Sequence, residues 1–272
     1  MTIAVACNLA DGVVIGTDSA VTIEKPGSQS RVYSDGIKVF TVKDRPLGMA
    51  TWGLASIEGR TIRSYIVEFE TTRAEQVQQG EIGDVAKALW QFLNAKFIDG
   101  MKAAGTVLAP DDRAVLGLLV AGFSKGAYLS EVWDIRAEQD DEKLGVTCIM
   151  PRGTFSAAWR GLTDGIERLM NGVGTTHAQQ IYDIVHKHQP LKETPEMIQE
   201  IVDALDSWRY RIRFNGMPLQ EGVDYVRFLL DVMINHSRFV DGAFGCGGPV
   251  RIVVVQEDGV RHVTSHDLRL SH

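Results

Sequence analysis

Two strand pairs precede any helix in this chain. Residues 3–9 alternate, with Ile3, Val5, Cys7 and Leu9 on one face and Ala4, Ala6 and Asn8 on the other, which is the period of a strand. Ala10-Asp11-Gly12 follows, and Asp-Gly between apolar runs is a strong hairpin signal. Residues 13–18 are the return strand. Residues 37–42 and 47–52 repeat the arrangement around the turn Lys43-Asp44-Arg45-Pro46. Four strands in two consecutive hairpins predict one antiparallel sheet.

Helical periodicity comes next. Residues 54–70 place Ile62, Tyr65, Ile66 and Phe69 on one stripe, and residues 82–97 do the same with Val85, Leu89, Phe92, Leu93 and Phe97. The polar stretch 71–80 between them reads as loop or a fraying helix end. Strands are predicted over 114–123, 127–135 and 145–149. Helices are predicted over 162–169 and 177–188, from Thr194-Pro195 along the stripe Ile198, Ile201, Val202, Leu205, Trp208, and over 218–235. Residues 250–256 and 260–265 form a closing hairpin around Glu257-Asp258-Gly259. Strands, helices, strands, helices, strands is the order of an α+β sandwich of antiparallel sheets with helices on its outer faces. No linker-like composition divides the 272 residues, so a single domain over 1–272 is expected, with residues 161–213 as a helical insertion.

Composition narrows the function class. The net charge is −7, against the basic surface that sequence-independent nucleic-acid binding requires. Cys7, Cys148 and Cys246 form no CxxC pair, so no zinc site is expected, and no cofactor is. Three widely spaced thiols fit a reducing cytoplasm. No signal peptide opens the sequence, and its longest apolar run, 114–123, is too short to span a bilayer. The histidines are scattered and no Gly-x-Ser-x-Gly is present, so a serine–histidine triad is not expected.

Thr2 directly follows Met1. Removal of Met1 leaves a threonine with both a hydroxyl and a free α-amine, a self-contained nucleophile and base. The amine suits the task because its reference pKa of about 7.7–8.0 lies near neutrality. A lysine such as Lys38, on the strand face of Phe40 and Val42, loses its proton more readily when burial disfavours the charge. From the residues alone, Lys38 equally reads as a surface lysine, Asp18 as a strand-end turn aspartate, Gly53 as a strand-to-helix turn glycine and Asp241 as a turn aspartate.

Thr2, the strand Gly12-Val13-Val14-Ile15-Gly16-Thr17-Asp18-Ser19, then Gly36-Ile37-Lys38-Val39-Phe40, then Leu47-Gly48-Met49-Ala50-Thr51-Trp52-Gly53 together resemble the N-terminal third of proteasome β-type subunits. Those are N-terminal nucleophile (Ntn) hydrolases. The Thr-to-Asp interval equals the family's. The Asp-to-Lys interval is slightly longer, and the extra residues fall in 23–35, where Pro26-Gly27-Ser28 reads as loop. The resemblance is strong over 2–70, fair over 80–135, and returns over 218–268.

The resemblance implies a four-layer αββα sandwich of two antiparallel sheets and a threonine endopeptidase that cuts peptides or unfolded proteins. It implies Thr2 as nucleophile, Lys38 tuning its hydroxyl, Asp18 holding Lys38, Gly53 supplying an oxyanion-hole N–H, and Asp241, before Gly242-Ala243-Phe244-Gly245-Cys246-Gly247-Gly248, supporting the amine. It also implies a self-compartmentalising homo-oligomer served by an ATP-dependent unfoldase. Two other outcomes of the same likeness are an inactive, α-like structural ring subunit and an Ntn amidase for a small amide. The family often carries Gly-Ser-Gly after its middle strands. Here Thr154–Gly161 holds no serine flanked by glycines; Ser156 is the nearest candidate, and Arg160 is the candidate for the matched place.

Overall fold

The computed structural model describes residues 2–23, 31–104, 115–138, 145–188, 195–240 and 245–263. Strands β1 (Ile3–Leu9) and β2 (Gly12–Thr17) form the first hairpin. A two-stranded excursion follows, β3 (Val21–Ile23) with β4 (Arg31–Tyr33); β4 falls in the stretch 23–35 read as loop. Then come β5 (Val39–Thr41), β6 (Leu47–Gly53) and a short hairpin, β7 (Ser56–Ile57) with β8 (Arg60–Thr61). Helices α1 (Ile62–Thr72), α2 (Ala74–Gln79) and α3 (Ile82–Ala104) lead to β9 (Val115–Gly122), β10 (Glu131–Glu138), β11 (Val146–Met150) and β12 (Ser156–Gly161). Helices α4 (Asp164–Asn171), α5 (Thr175–His188), α6 (Pro195–Trp208) and α7 (Leu219–Phe239) precede β13 (Arg251–Gln256) and β14 (Gly259–Val263).

The chain is therefore mixed α+β, with antiparallel sheets and seven helices among the described residues. One five-stranded sheet runs β12-β1-β2-β13-β14 and the other β11-β10-β9-β6-β5. The expectation that the first two hairpins share one sheet is wrong. β13 occupies the edge of β2 that β5 would need, so the second hairpin pairs with β9 in the other sheet.

The two sheets share a core. Ala4, Ala6, Val13 and Ile15 of the first belong to one buried cluster with Ala50, Leu119 and Ala121 of the second. The opposite face of the second sheet, with Met49, Leu118 and Val120, packs on Ile66, Phe69, Leu89 and Phe97 of α1 and α3. Each such side chain, fully buried, contributes about 1.5–3 kcal/mol. Outside the first sheet, Val226 and Leu230 of α7 lie against Gly16, and Gly222 lies against Leu9.

Helix α1 begins at Ile62, the first residue of its apolar stripe, and not at residue 54 as expected. Glu58 and Gly59 both take positive φ, 48° and 78°, the conformation of a tight two-residue hairpin turn. That turn makes β7 and β8 from the first residues of the predicted helix. Thr61 then caps α1, its hydroxyl accepting the Ser64 N–H at 3.4 Å. The polar stretch after α1 is itself helical, as α2.

Packing divides the chain into two compact units, Met1–Leu162 with Phe214–His272, and Thr163–Arg213. The second contains α4, α5 and α6, where the sequence predicts helices. Within it α4 ends on Gly172 in the left-handed region, φ 76°, and the Tyr210 N–H donates to the Met170 carbonyl at 2.8 Å. Among the described residues, no helix is long and apolar enough to cross a membrane, and no group of three or more His, Cys, Asp or Glu side chains could hold a metal ion.

Candidate active site

The site is assembled where four strand ends meet. Thr2 immediately precedes β1 and is 5% exposed. Asp18 follows the last residue of β2, on the strand antiparallel to β1, so the hairpin returns it to the start of the chain. Lys38 immediately precedes β5, and its carbonyl accepts the Thr51 N–H of β6 at 2.9 Å. Asp18 is fully buried and Lys38 is 3% exposed. Neither is the solvated turn or surface residue that either could have been.

Asp18 has a full set of donors. Its Oδ1 accepts from Lys38 Nζ at 2.8 Å and from the Ile3 N–H at 3.2 Å. Its Oδ2 accepts from the Ala20 N–H at 3.2 Å and the Gly247 N–H at 3.0 Å. One carboxylate thus ties the residue after Thr2 to the lysine and to the loop before β13. Burial draws the Lys38 ammonium below its ordinary 10.5, against the opposing pull of Asp18. A lysine so placed exchanges a proton more readily than a solvated one.

Thr2 and Lys38 line one small cavity of about 90 Å³, together with Val21, Thr51, Ala55 and Arg63. Gly53 ends β6 with φ 81°. A side chain there would collide with the Val115 carbonyl, so the position needs glycine. Thr51 and Leu54 on either side of it line the cavity, and Gly53 itself does not. Of the five residues expected at the site, Thr2, Asp18 and Lys38 are brought together and Gly53 stands at the rim. Asp241 lies outside the described residues.

Several supporting residues escape sequence reading. β12 pairs with β1, setting Gly161 opposite Ile3, and the Leu162 N–H donates to the Thr2 carbonyl at 2.9 Å. Gly161 has φ 89°, and a Cβ there would overlap the Thr2 carbonyl oxygen. The Gly247 carbonyl accepts the N–H groups of Ser19 and Ala20 at 3.0 and 2.8 Å, so this glycine grips the Asp18 turn from both directions. Its signal was the Gly247-Gly248 pair. Beside it, Cys246 is 2% exposed; burial pushes its thiol up, and the charges of Asp18 and Lys38 act on it in opposite senses.

The serine the family pattern calls for is not supplied by Ser156, which pairs with Asn8 at the far end of β1. Arg160 sits opposite Ala4 but its Nε donates to Asp134 Oδ2 at 2.7 Å, and it does not line the cavity.

Gly161→Ala tests how closely β12 holds Thr2. A side chain in this left-handed conformation costs about 1–3 kcal/mol of strain, and relief of the clash moves the Thr2 carbonyl. The expected outcome is a loss of stability larger than this strain alone, read from urea unfolding. Gly126→Ala, also in the left-handed region with φ 74° but with open space around the missing Cβ, serves as the strain-only control and loses less.

A lysine–carboxylate pair sealed from water beside a threonine hydroxyl can lower the cost of deprotonating that hydroxyl and can hold charge that develops on it. No family model matches the chain, and no curated protein matches it.

Proposed function

We propose that the protein is a threonine-type N-terminal nucleophile hydrolase of the proteasome β class, cutting peptide bonds in peptides or unfolded proteins. The observation that carries the reading is the buried carboxylate of Asp18, which holds Lys38 Nζ at 2.8 Å and the Ile3 N–H at 3.2 Å. Those contacts fix the backbone just after Thr2 and put a lysine in the cavity Thr2 lines. The layering of α1 and α3, two sheets and α7 is read as the αββα sandwich of that class. On the same reading the chain works as a homo-oligomeric assembly, and an ATP-dependent unfoldase delivers folded substrates.

Removal of what precedes Thr2 releases its α-amine. The Oγ then attacks the substrate carbonyl carbon while the amine takes the hydroxyl proton. The new C–O bond places negative charge on the carbonyl oxygen, and the Gly53 N–H is the proposed donor to it. Breaking of the C–N bond sends the proton from the amine to the leaving nitrogen, and an ester on Thr2 remains. Water adds to that ester, giving a proton to the same amine. The C–Oγ bond breaks, the proton returns to Oγ, and the acid departs. Lys38, held by Asp18, stabilises Oγ as it loses and regains its proton.

Covalent trapping tests the reading. A peptide epoxyketone needs both the hydroxyl and the amine of an N-terminal threonine to form its closed adduct. Incubation of the chain beginning at Thr2 is expected to add one inhibitor mass, mapped to the first peptide of a digest. A chain that keeps Met1 takes none. Equal labelling of both forms sinks the proposal.

A further inference from the structure

The cavity beside Thr2 has a chemistry that selects what can enter it. Its lining holds two cations, Lys38 and Arg63, and no acidic residue. Lys38 is held by Asp18 at 2.8 Å. Arg63 is not held: it is exposed, and no acidic side chain among the described residues pairs with it. Its neighbours are placed differently. Arg60 donates to Glu68 at 2.8 Å, and Arg251 is engaged by Asp35.

Arg63 also stands against local preference. It is the second residue of α1, whose first turn contains no acidic residue. The N-terminus of a helix carries partial positive charge and favours anions, so a cation there is disfavoured on the helix's own account. Arg63 and the helix end add their positive potential at the mouth of the cavity.

Arg63 and Ile37 are shared with a larger neighbouring cavity of about 690 Å³. Asp35 and Glu70 line that second cavity and not the first; Asp35 engages Arg251, and burial pushes the Glu70 carboxyl up. Glu70 lies seven residues beyond Arg63, about 10 Å along the helix at ~1.5 Å per residue, too far to neutralise it by contact. With Lys38 paired to Asp18, Arg63 is the one unpaired charge in the lining of the Thr2 cavity among the described residues.

Size sets the second limit. About 90 Å³ is room for about three waters at ~30 Å³ each, or a side chain of a few non-hydrogen atoms. The polar wall is made of hydroxyls, Thr51 and Thr61, and the apolar wall of Val21, Leu54 and Ala55. A carboxymethyl group fits that space and that charge.

We propose that this cavity selects substrates in which the residue contributing the scissile carbonyl carries a short carboxylate side chain, and that Arg63 is the residue that reads it. The inference rests on the reading of Thr2 as nucleophile. Binding is by a charge-assisted, two-pronged contact of guanidinium with carboxylate.

The test uses the full chain beginning at Thr2 and acetylated fluorogenic peptides that differ only in the residue before the cleaved amide: Asp, Asn, Leu or Lys. Asp and Asn have the same shape, so their ratio isolates charge. The expected result is a preference for Asp over Asn of about ten- to a hundredfold in kcat/KM. Arg63→Ala brings that ratio close to one, Arg63→Lys restores part of it, and Arg63→Glu turns the preference toward Lys. Asn equalling Asp in the unaltered protein, or a ratio indifferent to Arg63→Ala, overturns the inference and leaves Thr2 chemistry standing. Absence of turnover of every peptide, together with absence of epoxyketone labelling, overturns the underlying reading and this inference with it.

Discussion

Thr2→Ala is expected to end peptide hydrolysis while leaving the fold in place. Removing a covalent nucleophile costs on the order of 10⁶ in kcat, because no other group inherits its role. The described site offers no substitute: Ser19 Oγ is spent on the Pro249 carbonyl at 2.5 Å, and Thr51 Oγ1 on the Gly117 carbonyl at 3.3 Å. The structural cost is small, since alanine keeps the backbone carbonyl that accepts the Leu162 N–H at 2.9 Å. Thr2→Ser is the informative partner. It keeps hydroxyl and amine and loses one buried methyl, worth about 0.8 kcal/mol, so turnover survives at a reduced level. With the amine as base, kcat/KM rises with pH as the amine loses its proton. Fluorogenic peptide assays with circular dichroism on each variant measure both halves. Hydrolysis by Thr2→Ala at the rate of the unaltered chain removes Thr2 from the mechanism.

Legibility in the sequence tracked the range of the interactions. The β1–β2 hairpin and the helix stripes are local patterns, and they fall where periodicity puts them. Asp18 and Lys38 were candidates through the resemblance to the proteasome β pattern, since alone each reads as a surface or turn residue, and only the packing of the two sheets brings them within 2.8 Å of each other. The division of the two hairpins between sheets was not readable. It depends on β13, which arrives more than 230 residues after β2 begins, taking the edge beside it.

β12 was missed for a related reason. Ser156-Ala157-Ala158-Trp159-Arg160-Gly161 has weak strand propensity, and its strand character comes from its pairing with β1. Ser156, the serine nearest to a Gly-Ser-Gly place, lies at the end of that strand far from Thr2. Gly161, which needs its glycine to pass the Thr2 carbonyl, gave no local sign of it. The Gly247-Gly248 pair announced a close backbone approach without saying to what; the partner proves to be the Asp18 turn.

Asp18→Asn is expected to produce the largest loss of stability of any single change at the site, about 3–5 kcal/mol near neutral pH. The carboxylate is fully buried and accepts four hydrogen bonds. Asparagine offers one accepting oxygen. Its amide N–H₂ must face either Ile3 N–H and Lys38 or the N–H groups of Ala20 and Gly247, donor against donor. Lys38 is left as a buried ammonium without its counter-charge. The loss therefore depends on pH, with a definite sign. Lys38 already sits below its ordinary 10.5 through burial, and removal of the attracting carboxylate lowers it further. A base whose folded pKa is depressed costs stability at pH below that folded value, because the buried site must carry the charge. The cost falls away as pH rises from the folded value toward the unfolded value of about 10.4. Because the variant's folded value is the lower of the two, part of its deficit against the unaltered chain is recovered between that value and the unaltered chain's. Urea unfolding of the two chains from pH 6 to pH 9 measures the difference directly, and the deficit of Asp18→Asn is expected to shrink as pH rises. A deficit that is constant across that range means that Lys38 keeps one protonation state throughout and that the asparagine, not the unpaired lysine, carries the loss. A deficit below about 1 kcal/mol at every pH, the size of one ordinary hydrogen bond, removes the buried pair as the support of the site.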